Sequence, residues 1–140
     1  MQYRNELGQL HRVDGPAVIC RDNTKSWYQH DRLHRVDGPA IMYDDGQAEW
    51  YLNGKRHRDN GPAVIWPNGD QLYYVHGKRH RVDSPAMITV SGTHWYLNDH
   101  RHRLDGPAVE WADGRKEWWV NGKQVNEFEY WILTTAMELA

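Results

Sequence analysis

The chain has little of what usually builds a core or staples a fold. Its one cysteine, Cys20, cannot form an intrachain disulfide, which argues against a disulfide-framed secreted domain and for a reducing, cytoplasmic setting. Phenylalanine occurs once, and hydrophobic residues make up 39% of the 140 positions, too few for a thick two-layer core. No apolar run approaches the 18 or so residues that cross a bilayer, and the first residues, Met1 to Arg12, contain no apolar stretch of the signal-peptide kind. A formal charge of −2 provides no global field for nucleic acid or membrane. There is no glycine-rich phosphate loop, paired-cysteine motif or nucleophile elbow. Catalytic residues, metal ligands and cofactors are therefore not expected.

What the chain does have is a period. His-Arg-Val-Asp-Gly-Pro-Ala begins at His11 and again, unchanged, at His34. Variants begin at His57, His80 and His102, so the steps are 23, 23, 23 and 22 residues. The aromatic pair Trp27-Tyr28 recurs as Trp50-Tyr51, Tyr73-Tyr74, Trp95-Tyr96 and Trp118-Trp119. The chain holds eight Trp and eight Tyr, of which five each make these pairs, and both side chains suit half-exposed surfaces. Five registered copies define a repeat domain over residues 1–124.

Each unit reads as a β-hairpin. Pro39 to Tyr43 is a short strand, with the proline first, where a missing N–H matters least. Asp44-Asp45-Gly46 is a turn, and Gln47 to Leu52 is a return strand rich in aromatics. Asn53-Gly54 makes a second turn before the next unit. Alternation puts Val64 with Trp66 on one face and Trp50 with Leu52 on a common face. A lone hairpin is marginal in water, so neighbouring units must stack. Residues 1–10 are expected to supply a half-unit, with an open sheet edge at that end.

Residues 125–140 follow a different pattern. Asn126 is placed to cap a helix, Glu129 completes a capping box and Val125 with Tyr130 forms a hydrophobic staple. Phe128, Trp131, Ile132, Ala136 and Leu139 recur at helical spacing. The expectation is a capping helix from Glu127 to about Leu139 whose apolar face covers the last hairpin. The fold class is thus mainly β: an elongated, single-layer array of antiparallel hairpins with a C-terminal capping α-helix.

Trp-Tyr-x-Asn-Gly-Lys-Arg-His around Lys55-Arg56-His57, at a 23-residue period, resembles the MORN repeat. The likeness covers residues 7–124. It departs after the histidine, where MORN units carry Gly-x-Gly and this chain has Arg-Val-Asp-Gly-Pro-Ala. In that respect the chain is similar to repeat proteins of bacteriophages and large DNA viruses. The resemblance implies scaffolding, dimerisation or lipid contact, and it carries no catalytic residues.

Several residue sets invite a functional reading. His and Asp recur three apart as His11/Asp14, His34/Asp37, His80/Asp83 and His102/Asp105, which is either a row of metal ligands or catalytic pairs, or part of the frame. A catalytic site is a single asymmetric place, whereas this motif is in nearly every unit, which favours the frame. Twelve of the 17 Lys and Arg fall at three repeat positions, among them Arg35, Lys55, Arg56, Arg58, Lys78, Arg79, Arg81, Arg101 and Arg103. They read as a basic ridge for phosphates, or as a solvated edge partly neutralised by its own aspartates. Trp50, Tyr51, Tyr73, Tyr74, Trp95, Trp118 and Trp119 read as a stacking surface or as the core itself. Cys20, at the position of Tyr43 and Trp66, reads as a small core filler.

The expected function is a non-enzymatic protein-binding or scaffolding module. On the viral resemblance, this would be a phage protein that engages and inhibits a host defence factor in the host cytoplasm. The alternatives are polyanion binding, to nucleic acid or phospholipid headgroups, and self-assembly, for instance as a homodimer. Function is expected where the copies differ: Asn60, Ser84, the short fourth hairpin at Ser91-Gly92-Thr93, and the helix.

Overall fold

The computed structural model describes residues 1–140 and is mainly β, built from antiparallel hairpins with one C-terminal helix. The chain divides into two compact units, Met1–Gly77 and Lys78–Ala140.

In the first unit three long hairpins lie side by side. They are Val18–Ile19 with Lys25–Ser26, Ile41–Met42 with Ala48–Glu49, and Val64–Ile65 with Gln71–Leu72. Ser26 pairs with Ile41 and Glu49 with Val64, which joins each hairpin to the next. The second unit repeats this with Met87–Thr89 and Gly92–His94, then Val109–Trp111 and Lys116–Val120. A further strand, Lys123–Val125, pairs with the last of these.

The expected return strand, Gln47 to Leu52, is divided. Ala48–Glu49 stays in the main sheet, while Tyr51–Leu52 turns away to pair with Lys55–Arg56 in a separate short hairpin. The division falls at the tryptophan. Trp50 N–H donates to Ala63 of the following unit at 2.7 Å, whereas its carbonyl accepts from His57 N–H at 3.1 Å. The backbone changes partner at that residue. Trp27 and Trp95 make the same switch, to Ala40 and His34 and to Ala108 and His102. The alanines that receive the tryptophans, Ala40, Ala63 and Ala108, are fully buried, as are Ala17 and Ala86 at the same repeat position. A larger side chain there would hold the backbones apart.

The two turns of each unit differ in chemistry. At the long hairpin, Gly46, Gly69 and Gly114 take positive φ and their N–H groups close the loop on Tyr43, Trp66 and Trp111. At the short hairpin both turn residues have positive φ, as at Asn53 (50°) and Gly54 (80°). His30-Asp31 and Asn98-Asp99 adopt the same geometry without glycine. There the Asp side chain helps hold the turn: Asp31 accepts from Leu10 N–H at 2.6 Å and Asp99 from Arg79 N–H at 3.2 Å.

Residues 1–10 supply the half-unit. Gln2 bridges to Val18, Arg4 to Leu10, and Tyr3 N–H donates to Ala17 at 2.8 Å. The first three residues therefore pair along the outer side of Val18–Ile19.

The helix runs Glu127–Leu139, and Asn126 caps it by accepting from Glu129 N–H at 2.8 Å. It docks by a face other than the expected one. Tyr130 is fully buried and Thr134 nearly so, while Phe128 is 76%, Ile132 55% and Leu139 84% exposed. A polar anchor decides this orientation: Tyr130 Oη donates to the Arg103 carbonyl at 2.7 Å and accepts from Gly106 N–H at 3.0 Å. The apolar face read from helical spacing points outward. Cys20 likewise is exposed, not a core filler.

Candidate functional site

The repeated loop His-Arg-x-Asp-Gly-Pro-Ala is where sequence places most of the chemistry, and the structure engages most of its polar members internally. The histidine Nδ1 accepts a backbone N–H from the first turn residue of its own unit's short hairpin, at 3.0–3.1 Å. The pairs are His11 with His30, His34 with Asn53, His57 with His76, His80 with Asn98 and His102 with Asn121. That role requires an unprotonated Nδ1, because a protonated imidazole offers only donors. Burial lowers the pKa of His102 and so favours the neutral form there. The second turn residue donates to the carbonyl just before the same histidine, as Gly54 does to Leu33 and Gly122 to Arg101. The histidines are thus hydrogen-bonded staples between successive short hairpins.

The arginine after each histidine is clamped. Arg12, Arg35, Arg58, Arg81 and Arg103 donate through Nη1 to the carbonyl of the proline four residues on, at 3.1–3.3 Å. Arg35, Arg58 and Arg103 lie 4.0 Å over the rings of Trp27, Trp50 and Trp95, and Arg12 lies 4.1 Å over Tyr3. The other face of the guanidinium meets the glycine. A Cβ on Gly15, Gly38 or Gly61 would sit 2.9 Å from the arginine Cζ. The motif's glycine thus makes room for a cation. Repeat four has Ser84 there, and Asp83 alone among the motif's aspartates takes positive φ (62°).

The aspartates pair with these arginines, not with the histidines. Asp14, Asp37 and Asp105 accept from Arg12, Arg35 and Arg103 Nε at 2.8–3.0 Å. Only repeat three forms a His/Asp contact, His57 Nε2 to Asp59 at 2.8 Å, where Asp59-Asn60 replaces Val-Asp. No group of three or more His, Cys, Asp or Glu is placed to hold a metal ion.

The residue between arginine and aspartate has no such duty. Val13, Val36 and Val82 are 77%, 82% and 64% exposed, and Leu104 is 43% exposed. These tips rim open grooves. One of about 640 Å³ lies between the loops holding Val13 and Val36, and is backed by Trp27. One of about 550 Å³ runs from Val36 to Asn60 over Trp50 and Leu52. In the second unit one of about 260 Å³ lies between Val82 and Leu104 over Trp95 and Leu97.

The remaining sequence candidates separate by face. Lys55 and Lys78 are exposed, while Arg56, Arg79 and Arg101 are half-buried. Arg79 pairs with Asp99 at 2.7 Å. Trp50, Tyr51, Tyr73, Tyr74, Trp95, Trp118 and Trp119 are all half-buried. Trp50 and Trp95 lie beneath arginines, Tyr51 and Tyr74 lie 5.5–5.9 Å from the Arg56 guanidinium, and Trp119 lies 4.9 Å from that of Arg101.

One cluster escaped sequence reasoning. Glu49 is only 4% exposed, and it accepts from Arg56 at 3.1 and 3.2 Å, from Tyr51 Oη at 2.9 Å and from Gln47 at 3.1 Å. Tyr43 Oη also reaches it at 3.4 Å. Burial, together with the carboxylate, raises the pKa of both tyrosines. The signal was a glutamate inside a hairpin strand two residues before a tyrosine, and it is easily passed over as a solvated position.

Comparison with known proteins finds no family model that matches the chain and no curated protein with significant similarity. No helix is long and apolar enough to cross a membrane.

Proposed function

We propose that the chain is a non-enzymatic, protein-binding repeat module and that it engages its partner through the exposed loop tips. The observation that carries this is the contrast within one seven-residue loop. Histidine, arginine, aspartate and glycine are engaged internally, whereas Val13, Val36, Val82 and Leu104 face water at the rims of aromatic-floored grooves. Exposed apolar side chains with no internal role, beside concave surfaces, suit burial against another protein. The outward apolar face of the helix, with Phe128, Trp131, Ile132 and Leu139, offers a second surface of the same kind. The hairpin frame, with Trp-Tyr-x-Asn-Gly-Lys and a 23-residue period, supports reading the array as a MORN-type variant. A protein partner is preferred to a polyanion because the guanidinium groups of Arg35, Arg58 and Arg103 are occupied by proline carbonyls, by aromatic rings and, for two of them, by aspartates.

The test is affinity capture from lysate of the native host cell, comparing the wild-type chain with a Val36→Asp/Val82→Asp double variant. The expected result is a specific protein retained by the wild type and lost by the variant, with melting temperature unchanged. Capture that ignores the valines, or that falls steeply with salt, would contradict the proposal.

A further inference from the structure

The residue just before each aromatic pair changes character from copy to copy: Ser26, Glu49, Leu72, His94 and Glu117. In repeat two this place holds the Glu49 carboxylate, which neutralises Arg56 and is bonded by Tyr51. In repeat four the corresponding residues are His94, Arg101 and Tyr96, and Thr89 stands where repeat two has Tyr43. The cation is kept and the carboxylate is gone.

The consequences are visible in the polar groups. His94 is 5% exposed and packs edge-on against Trp111, with ring centres 5.1 Å apart. Its Nδ1 and the Nε of Arg101 are both buried without a hydrogen-bond partner. Such orphans are rare and call for an explanation. Burial and the field of Arg101 keep His94 on the neutral side, so it cannot compensate by accepting a charge. Two carboxylates lie nearby and both are engaged elsewhere. Asp99 is held by Arg79 at 2.7 Å, and Glu117 accepts from Trp119 Nε1 at 3.1 Å; neither forms an ion pair with Arg101. Arg101 instead lines an open depression of about 360 Å³ with Tyr96, Asp99, His100, Trp119 and Gly122. Its guanidinium carbon is 4.9 Å from the Trp119 ring centre and 5.9 Å from that of Tyr96.

We propose that this depression is a carboxylate-binding site, in which the terminal nitrogens of the Arg101 guanidinium, lacking the internal carboxylate that Glu49 gives Arg56, bind an acidic side chain of a bound peptide. The flanking Trp119 and Tyr96 rings exclude water from the guanidinium and strengthen its charge-assisted hydrogen bonds. The site lies apart from the valine-rimmed grooves, so it stands whether or not those grooves bind protein.

The experiment is nitrogen-edited NMR of the arginine Nε–H and tryptophan Nε1–H groups at constant ionic strength. The probe is an acetylated, amidated tri-glutamate peptide, with the tri-glutamine peptide as neutral control and inorganic phosphate as a third arm. The expected result is a saturable shift at Arg101 and Trp119 with tri-glutamate only, and none at Arg56. His94→Glu should supply the missing carboxylate internally and weaken peptide binding at least tenfold, with the fold intact. Absence of saturation at Arg101, tighter saturation by phosphate than by tri-glutamate, or a response unchanged in His94→Glu would each overturn the proposal. Arg101→Gln should abolish the Trp119 shift, and because His94→Glu reads the same site by filling it, poor folding of the arginine variant would not remove the test.

Discussion

Repeats two and four share one frame and differ inside it. Both clamp an arginine on the proline carbonyl of the loop that opens the unit, Arg35 on Pro39 and Arg81 on Pro85, and both bond a histidine to the short-hairpin turn, His34 to Asn53 and His80 to Asn98. Yet repeat two buries a complete Glu49–Arg56–Tyr51 cluster, while repeat four buries His94 beside Arg101 with two nitrogens unpaired. The frame therefore does not depend on what occupies the position before the aromatic pair. That position is free to vary, and variation there creates sites.

The largest expected effect lies in the completed cluster. Glu49→Ala strands Arg56 and two tyrosine hydroxyls, and should cost about 2–3 kcal/mol, discounted from the roughly 3–5 kcal/mol of a fully buried broken pair. The discount reflects Arg56, whose side chain keeps 37% of its surface in water. His94→Phe, which removes an orphan and keeps the ring packing, should cost less than about 1 kcal/mol. Urea unfolding of both variants checks this; equal losses would erase the distinction between the repeats.

A smaller effect is expected at the loop glycine. Gly38→Ala drives a Cβ into the Arg35 guanidinium, which is held by Pro39, Asp37 and Trp27, and should cost about 1–2 kcal/mol. Ser84→Ala in repeat four already has a Cβ accommodated there, with positive φ at Asp83, and should stay within about 0.5 kcal/mol. Melting temperatures of the two variants, compared side by side, report the difference.

Much of the architecture was legible because a repeat reads itself five times. The period, the hairpins, the Asn126 cap and the extent of the helix all follow from local patterns that hold in any context. Four features were not legible, because partners chosen in the folded chain decide them. The strand breaks at Trp50 because the next repeat's Ala63 competes for its N–H. The helix docks on Tyr130 because a hydroxyl that satisfies both Arg103 and Gly106 outweighs its more apolar face. The arginines read as a ridge by position, but five of them are clamped to proline carbonyls. The Glu49 cluster stayed hidden because its partners, Tyr43 and Arg56, lie six and seven residues away, one beside the long-hairpin turn and the other on the short hairpin.

The central claim is that the repeated residues are frame and the residues between them are free. It is tested most directly by the unfolding free energies of His34→Ala and Val36→Ala, two substitutions in the same loop. Loss of the Nδ1 acceptor for Asn53 should cost about 1–2 kcal/mol. Truncation of Val36, 82% exposed, should change stability by no more than about 0.5 kcal/mol. A neutral His34→Ala, or a Val36→Ala as costly as it, would contradict the claim.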